Sequence, residues 1–243
     1  MAYKHLIVDV GNTLMKCALF DGDVLLKEFV CDAELQPLLD SVSGIDIAGG
    51  MWSAVRKLPA SLEQWFACNG VVKFTWQTPV PLKNLYSTPE TLGMDRLAAA
   101  VGAWSICPKN NILVIDMGTA ITFDFVSAEG EYVGGNIAPG KELRYRALAE
   151  HTGALPLVHG VVDDFCWGNS TETAIRSGVI NGIRSEIDGY INKIKQNFPL
   201  LLVFLTGGDA NIFDIREKSG IFAVKNLVIT GLDCIYKYNE VKK

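Results

Sequence analysis

The chain has 243 residues, a length that can form one large domain or two small ones with a substantial core. Its 49% hydrophobic and 20% charged residues are typical of a globular protein and exclude a disordered one. A formal net charge of −5 argues against nucleic acid or an anionic membrane surface as the main partner. No apolar run reaches the ~18 residues of a membrane span, and Asp9 interrupts the first apolar stretch too early for a signal peptide. We therefore expect a cytoplasmic protein.

The cysteines and histidines do not form the pattern of a reactive site. The six cysteines are scattered without a C-x-x-C pair, which predicts reduced, buried thiols. His5, His151 and His159 lack the spacing of metal ligands, and the nucleophile motif of a Ser-His-Asp hydrolase is not found. We therefore expect neither zinc chemistry nor covalent catalysis.

The first half of the chain begins with strands. An apolar stretch at 4–10 predicts a strand, and the alternating residues after it, with Asp21-Gly22 at their centre, predict a β-hairpin. Glycine and proline then divide the chain into shorter elements. These are a helix (32–42), a short strand (46–52), a helix ended by Gly70 (58–70), a strand (71–77), a proline-rich loop (78–93) and an alanine-rich helix (94–104).

The second half repeats this scheme after the segment "CPKNN". Asn169 is the predicted N-cap of the longest helix, with Glu172 completing a capping box. The predicted elements are strands at 111–117, 120–126 and 131–134, a helix closed by Gly153 (141–153), the long helix (170–197) and a buried strand ending in a double glycine (201–208). Strands first and helices after, twice over, predict two α/β domains of one pattern, residues 1–108 and 109–243.

The long helix carries an isoleucine stripe that one sheet could cover. Near its end, Tyr190, Ile191, Ile194 and Phe198 widen the apolar face, and Trp167 makes the approach to its start apolar. A helix that is apolar over more than one face needs a second surface, and a two-fold partner commonly supplies one. This pattern predicts a dimer contact on the helix.

Two similar turns follow two of the predicted strands. "DVGNT" begins at Asp9 and "DMGT" at Asp116, nearly half the chain apart. One such turn is most simply a hairpin, but two of them, with Gly207-Gly208 later, favour phosphate binding. Glycine lets backbone N–H groups approach phosphate oxygens, threonine adds a donor, and a carboxylate can hold a metal ion or its waters. Two facing hairpins could clamp the phosphates of ATP, while the double glycine lies against the nucleoside.

A third glycine-rich segment, "GNIAPGKE" at 135–142, matches part of the P-loop motif, but we do not expect it to function as a P-loop. It follows the G-x-x-x-x-G-K spacing up to Lys141, but Glu142 stands where the magnesium-binding Ser or Thr is required. A proline within the segment also removes a backbone donor. No G-x-G pair occurs, so a Rossmann dinucleotide site is not expected either.

These residues together resemble the type III pantothenate kinases, bacterial enzymes that phosphorylate pantothenate in the first step of coenzyme A synthesis. They belong to the superfamily of sugar kinases, actin and heat-shock ATPases. The motifs run nearly end to end: "DVGNTLMK" (9–16), "Y..P...GMDR" (86–96), "DMGTAITFD" (116–124), "GGNIAPG" (134–140), "TGALPLV" (152–158), "GNSTETAIRSG" (168–178) and "LTGG" (205–208). The combination of G-x-D-R with the second D-x-G-T is specific to this family. Asn136, where the family more often has a small residue, is a departure.

The resemblance implies two similar ribonuclease H-like (actin-like ATPase) domains, each a mixed α/β sheet with flanking helices, and an active cleft between them. It implies ATP with Mg²⁺ as phosphoryl donor, pantothenate as acceptor, a monovalent cation (K⁺ or NH₄⁺) and a homodimer with a shared active site. The alternatives are a non-catalytic nucleotide-binding regulatory relative and a small-molecule kinase with another hydroxyl or acid substrate. The intact acids Asp9, Asp95 and Asp116 favour the kinase.

The resemblance also implies roles for single residues. Asp95 would be the general base that faces the substrate hydroxyl. A carboxylate in the first turn of a helix is kept ionised by the helix dipole, which suffices because phosphoryl transfer depends mainly on orienting that hydroxyl. Arg96 can meet an anionic or amide oxygen of the substrate. Without its motif, Asp95 would be an ordinary acid at a helix start.

Asp116 would bind the monovalent cation, and Thr171 would come from the partner subunit. Donors at a helix N-terminus suit a ligand carboxylate, although Thr171 could simply start its helix. The implied contacts to ATP are Asp9, Val10, Gly11, Asn12, Thr13, Leu14, Met15, Lys16 and Thr119. The implied contacts to pantothenate are Tyr86, Gly93, Met94, Asp95, Arg96 and Thr171. Outside this family, Lys16 would be a surface lysine on a strand.

Overall fold

The computed structural model describes residues 4–12, 14–161, 167–212 and 220–241. The chain forms two compact units, residues 1–109 with 126–134 and 226–243, and residues 110–125 with 135–225. In chain order the strands are β1 Lys4–Val10, β2 Met15–Asp21, β3 Val24–Cys31, β4 Gly50–Ala54, β5 Val71–Lys73, β6 Lys83–Asn84, β7 Ile112–Met117, β8 Ala120–Val126, β9 Glu131–Pro139, β10 Leu202–Thr206 and β11 Ile221–Ala223. The α-helices are α1 Leu35–Val42, α2 Ala60–Cys68, α3 Met94–Ile106, α4 Lys141–His151, α5 Thr171–Lys195 and α6 Leu227–Glu240.

The first unit is built on a five-stranded sheet in the order β3-β2-β1-β4-β5. β1, β2 and β3 form antiparallel pairs, whereas β4 pairs parallel to β1 and β5 parallel to β4. The predicted hairpin is confirmed: Gly22 has a φ of 58°, a left-handed conformation that favours glycine at a tight turn. One face of the sheet packs on α1 and α2 through a core that includes Leu38, Leu62 and Phe66.

Helices α3 and α6 also belong to the first unit and cross at close range. A Cβ atom on Gly231 of α6 would lie 1.7 Å from the carbonyl oxygen of Ala98 in α3, so only glycine fits at this crossing. α6 is tied to β1 by the side chains of His5 and Asp233, with 2.6 Å between Nε2 and Oδ1. This packing fixes α3, the helix that carries Asp95, within the first unit.

The second unit repeats the strand order of the first. Its strands are arranged β11-β10-β7-β8-β9, which is again the third, second, first, fourth and fifth strand, read from the opposite edge. β10 pairs parallel to both β7 and β11. The beginning of β9, which belongs to the first unit, pairs parallel to the short strand β6 of that same unit, at Lys83↔Glu131. The repeated order gives each unit the ribonuclease H-like α/β fold that the sequence predicts.

The division into domains at 108/109 stays a prediction. The first unit of the structure includes two segments, 126–134 and 226–243, that lie beyond that boundary. The sequence analysis did not identify α6 or β11, and β9 extends to Pro139 rather than ending at residue 134. In the part of the chain that the structure describes, no helix is both long and apolar enough to cross a bilayer.

The predicted cap of α5 was wrong. Ser170, not Asn169, is the N-cap: its backbone is extended and its side chain accepts a hydrogen bond from the backbone N–H of Thr173, 3.3 Å away. Thr173 completes the capping box in place of Glu172. Glu172 instead forms an ion pair with Arg176 one turn later, at 3.0 Å.

The dimer contact predicted on α5 stays a prediction, and the structure provides an intramolecular surface for part of this helix. The Tyr190 ring stacks on Phe123 with 4.0 Å between centroids, and Phe198 packs on Phe125 at 5.1 Å. Ile191 is 2% exposed and Ile194 packs against the same core. The sheet of the second unit therefore packs against the widened face, while Tyr190, Ile194 and Phe198 stay partly exposed. Trp167, before the helix start, is 90% exposed.

The cysteine prediction holds in part. Cys17, Cys31, Cys68, Cys107 and Cys234 are free thiols. Cys17 is buried, Cys31, Cys107 and Cys234 are partly buried, and Cys68 is exposed at the end of α2, so the expected burial is wrong for Cys68. Cys166 lies outside the described residues.

Candidate active site

The first acidic turn begins at Asp9, near the end of β1. Asp9 pairs in register with Lys16 on β2 and with Ser53 on β4. The buried Ser53 hydroxyl donates a hydrogen bond of 3.2 Å to Asp9 Oδ1. Burial and the negative charge of Asp95 raise the pKa of Asp9 to about 6, against the opposing effects of the Ser53 hydrogen bond and the Lys16 charge.

The turn after Asp9 is narrow and partly open to solvent. The Gly11 N–H donates to the Leu14 carbonyl oxygen at 3.0 Å, and Asn12 is exposed. The side chains of Val10 and Met15 are buried in the core, so only their backbone groups can face a ligand. Lys16 is half-buried, whereas Thr13 lies outside the described residues.

Asp95 lies in the first turn of α3, where its geometry is fixed locally. Its Oδ1 accepts a hydrogen bond of 2.9 Å from the backbone N–H of Arg96. Gly93 is the N-cap, and a Cβ atom there would lie 2.6 Å from the same carboxylate oxygen. The glycine of "GMDR" therefore leaves room for the carboxylate, which remains partly exposed together with Met94.

Arg96 and Tyr86 lie together beside this helix start. Arg96 is only 6% exposed, and its guanidinium carbon lies 5.8 Å from the centroid of the Tyr86 ring. Tyr132 lies 6.3 Å from Tyr86 between ring centroids. Gly134, with a φ of 122°, would bring a Cβ atom to 3.4 Å from the Tyr86 ring. The structure therefore groups the predicted pantothenate contacts of the first unit.

Sequence reasoning missed Tyr132 and Gly134 as neighbours of Tyr86. They reach it because β6 and β9 pair, and Asn84↔Tyr132 is one of the paired positions. A two-residue strand within a proline-rich loop gives little periodicity to read. The double glycine of the "GGNIAPG" motif was the available signal for a close approach at this position.

The second acidic turn, Asp116 to Thr119, lies in the second unit between two close-packed glycines. Asp116 pairs with Thr206 on β10. A Cβ atom on Gly207, whose φ is 96°, would lie 2.5 Å from Asp116 Oδ1 and 2.3 Å from the Met117 carbonyl oxygen. On the other side, the Gly140 N–H donates to the Thr119 carbonyl oxygen at 3.0 Å. Thr119 is exposed and Asp116 is partly exposed.

A cation at this turn would need ligands other than a cluster of acids. Within residues 4–12, 14–161, 167–212 and 220–241, no group of three His, Cys, Asp or Glu side chains is placed to hold a metal ion. The Asp116 carboxylate and the neighbouring backbone carbonyl oxygens are the hard oxygen donors that such an ion prefers. Residues 135–139 are the end of β9, so the P-loop-like segment is not a phosphate loop.

Thr171 is the exposed first residue of α5. It borders an apolar groove of about 960 Å³ between α4 and α5, which we call the α4–α5 groove. Its apolar lining includes Leu143, Leu148, Leu155, Ile175 and Val179. Asn136, the departure from the family pattern, donates a hydrogen bond of 3.1 Å to the Tyr190 hydroxyl. The structure thus gives Asn136 a partner on α5.

The fold defines the class of the protein. A Baf family protein from Campylobacter jejuni aligns with a TM-score of 0.62 and 22% identity, covering 97% of this chain and 99% of that chain. The activator of 2-hydroxyisocaproyl-CoA dehydratase from Clostridium difficile, whose structure contains ADPNP, aligns with a TM-score of 0.55 and 13% identity, over 98% and 96% of the two chains. With two ribonuclease H-like units and two acidic hairpin turns, the chain has the actin-like ATPase fold of the sugar kinases.

Sequence comparison defines the family. Residues 39–193 match the family model of the type III pantothenate kinases. A type III pantothenate kinase from Phocaeicola vulgatus is 42% identical over 248 residues, covering 97% of this chain and 99% of the relative. One from Bacteroides fragilis is 45% identical over 250 residues, covering 97% and 98%. The chain belongs to the type III pantothenate kinase family.

Proposed function

We propose that the residues around Asp95 and the two acidic turns carry out the reaction of this family in this chain. That reaction transfers the γ-phosphoryl group of ATP to the 4′ hydroxyl of pantothenate, the first step of coenzyme A biosynthesis. The observation that carries the assignment is the position of Asp95, held at the start of α3 between Gly93 and Arg96. Family membership makes the chain a pantothenate kinase, and we propose which of its residues act on the acceptor and which on the donor.

On the acceptor side, Asp95 orients the pantothenate hydroxyl and accepts its proton as the phosphoryl group transfers. Phosphoryl transfer has a loose transition state, so a fixed orientation of the nucleophile is worth more than early deprotonation. Arg96 is buried against the Tyr86 ring, which holds its guanidinium group in place for a carbonyl or carboxylate oxygen of the substrate. Gly93 and Met94 complete this surface of the first unit.

On the donor side, backbone N–H groups of residues 9–16 and the Thr119 hydroxyl contact the ATP phosphates. The narrow Gly11 turn and the exposed position of Thr119 support these contacts. Mg²⁺ supplies positive charge that neutralises the phosphates. Positive charge is favourable here because Asp9 and Asp95 repel each other, and Lys16 already opposes that repulsion.

Asp116 is the proposed ligand of a monovalent cation, K⁺ or NH₄⁺. Its carboxylate stands at a turn that also offers backbone carbonyl oxygens, and Gly207 packs so closely on it that a Cβ atom there would clash with the carboxylate. Such an ion would place a fixed positive charge near Thr119. This role is supported by the donor set of the turn.

We also propose a homodimer in which Thr171 completes the partner's pantothenate pocket. The support is the α4–α5 groove, an exposed apolar surface that Thr171 borders. Leu143 and Leu157 on the segments around it are exposed as well. A second copy of the chain is the proposed occupant, because Thr171 lies at the rim where a ligand carboxylate could meet the α5 N-terminus. A cytoplasmic location remains the expectation from sequence.

The test of the function is a product analysis. Purified protein with ATP, Mg²⁺, K⁺ and pantothenate is expected to yield 4′-phosphopantothenate and ADP in equal amounts, measured by mass spectrometry. Phosphorylation of glycerol, a sugar or acetate in preference to pantothenate would show a kinase with another substrate. Nucleotide binding without any phosphorylated product would show a regulatory relative.

A further inference from the structure

The P-loop-like segment contains a lysine whose position the proposed reaction does not yet explain. Gly140 packs against the second acidic turn so closely that a Cβ atom would lie 2.2 Å from the Gly118 carbonyl oxygen. Lys141 follows it directly as the first residue of α4. The backbone of Lys141 is therefore one residue from the contact with Thr119, the proposed phosphate ligand.

The turn after β10 packs on the same acidic hairpin. The Asp209 N–H donates to the Met117 carbonyl oxygen at 3.0 Å, and Gly207 lies against Asp116. The Asp209 carboxylate is 26% exposed. Two segments distant in sequence, 140–142 and 207–209, thus flank the turn that is proposed to bind phosphate.

Lys141 links these two segments through ion pairs with Glu142 and Asp209. Its side chain is only 11% exposed, and Nζ lies 2.8 Å from Glu142 Oε1 and 3.9 Å from Asp209 Oδ1. The other oxygen of Glu142 lies 3.0 Å from His159 Nδ1. A lysine buried to this degree needs such anionic partners to offset the loss of hydration.

The pKa values of the two acids agree with this arrangement. Burial raises the pKa of Asp209, and Glu142 adds to the rise, while the charge of Lys141 opposes it. For Glu142, burial alone would raise the pKa, but hydrogen bonds from Lys141 and His159 outweigh it and lower the pKa. Burial and the negative charges of Glu142 and Asp209 raise the pKa of the Tyr145 hydroxyl. Lys141 is thus a cation that compensates two carboxylates beside the second acidic turn.

We propose that Lys141 is a positioning residue of the nucleotide site, which acts by compensating the charge of Asp209. A nucleoside triphosphate brings several negative charges to the Asp116 turn. Carboxylates near this turn would repel the triphosphate if no cation compensated their charge. This inference rests on the proposed binding of ATP at that turn. It gives a role to the lysine of a segment that cannot act as a P-loop.

The test measures equilibrium binding of a non-hydrolysable ATP analogue with Mg²⁺, so that it does not depend on phosphorylation. Lys141→Met is expected to weaken binding by about tenfold, the effect of losing one favourable charge interaction of ordinary size. KM for ATP is expected to rise by the same factor with kcat and KM for pantothenate little changed. Lys141→Arg should restore most of the affinity. Lys193→Met, which removes an exposed lysine from α5, is the matched control.

The double variant separates charge from packing. Asp209→Asn removes the carboxylate charge with almost no change of shape, so Lys141→Met/Asp209→Asn should bind the analogue more tightly than Lys141→Met alone. The defect of Lys141→Met should also shrink at high ionic strength. Equal weakness of the single and double variants would overturn the inference in favour of packing, and wild-type affinity in Lys141→Met would overturn it outright.

Two further outcomes are decisive. If Lys141→Met fails to fold, Asp209→Asn alone is expected to bind the analogue at least as tightly as the wild type, and weaker binding would contradict the inference. If the wild-type protein binds no nucleotide, the proposed function fails and this inference with it. That result is distinguishable from normal wild-type binding with an unaffected Lys141→Met variant.

Discussion

Asp9 and Asp95, at the end of β1 and the start of α3, act on each other through the charges of their carboxyl groups. Burial of Asp9 is the larger effect, and the two together raise its pKa to about 6 from an ordinary value of 3.8. The folded protein therefore holds the Asp9 proton more tightly than the unfolded chain does. Above pH 6 the ionised carboxylate costs the folded state free energy, and this cost disappears as the pH falls below about 4.

Asp9→Asn is accordingly expected to stabilise the protein while reducing its activity. A pKa difference of about two corresponds to roughly 3 kcal/mol, so we expect a gain of about 1–3 kcal/mol in the free energy of unfolding at pH 8. The gain should vanish near pH 4. Urea unfolding at both pH values measures it, with the exposed Asp46→Asn as control. A loss of stability that is equal at both pH values would contradict the account.

Asp95→Asn tests the acceptor side. We expect kcat to fall by about 10²-fold or more, the usual value of a positioned base, while affinity for ATP changes little. Removing the Asp95 charge also relieves the repulsion on Asp9, which gives no reason for weaker nucleotide binding. Steady-state kinetics and analogue binding measure the two effects. Glu90→Gln, an exposed acid just before α3, is the control.

Two results would revise the role of Asp95. An Asp95→Asn enzyme with near-normal kcat would remove this residue from catalysis. A variant that loses nucleotide binding as well would place Asp95 on the donor side of the reaction. The unfolding midpoint of each variant shows that the fold is intact.

The cation role of Asp116 predicts a dependence on potassium. In a buffer with sodium as the only monovalent cation, activity is expected to collapse, and added K⁺ or NH₄⁺ should restore it. Asp116→Asn should lose this response because it lacks the carboxylate ligand. Equal activity in sodium would contradict the role and leave Asp116 as a ligand of Mg²⁺ or of water.

The sequence predicted where Asp9, Asp95 and Asp116 lie in the secondary structure, because neighbouring residues determine these positions. Asp9 and Asp116 lie near the ends of β1 and β7, and Asp95 lies in the first turn of α3, as expected from the apolar runs and glycines beside them. Position in a strand or at a helix start depends on neighbouring residues. Such features are readable without knowing the tertiary structure.

Features that depend on tertiary contacts were not predictable in this way. Gly231 interrupts the pattern of α6 and counts against a helix by propensity, yet the crossing with Ala98 requires it. Asn169 and Ser170 are both good N-cap residues, and only the backbone geometry selects Ser170. Likewise the neighbours of Tyr86 follow from the pairing of β6 with β9.

The proposal that Asp95 of one subunit and Thr171 of its partner serve one active site is the central claim, and subunit mixing tests it most directly. Asp95→Asn and Thr171→Arg are each expected to be inactive as pure proteins. After subunit exchange, a mixed dimer has one site with both wild-type residues, so partial activity should return. If no activity returns while labelled wild-type subunits demonstrably exchange under the same conditions, the shared site is contradicted.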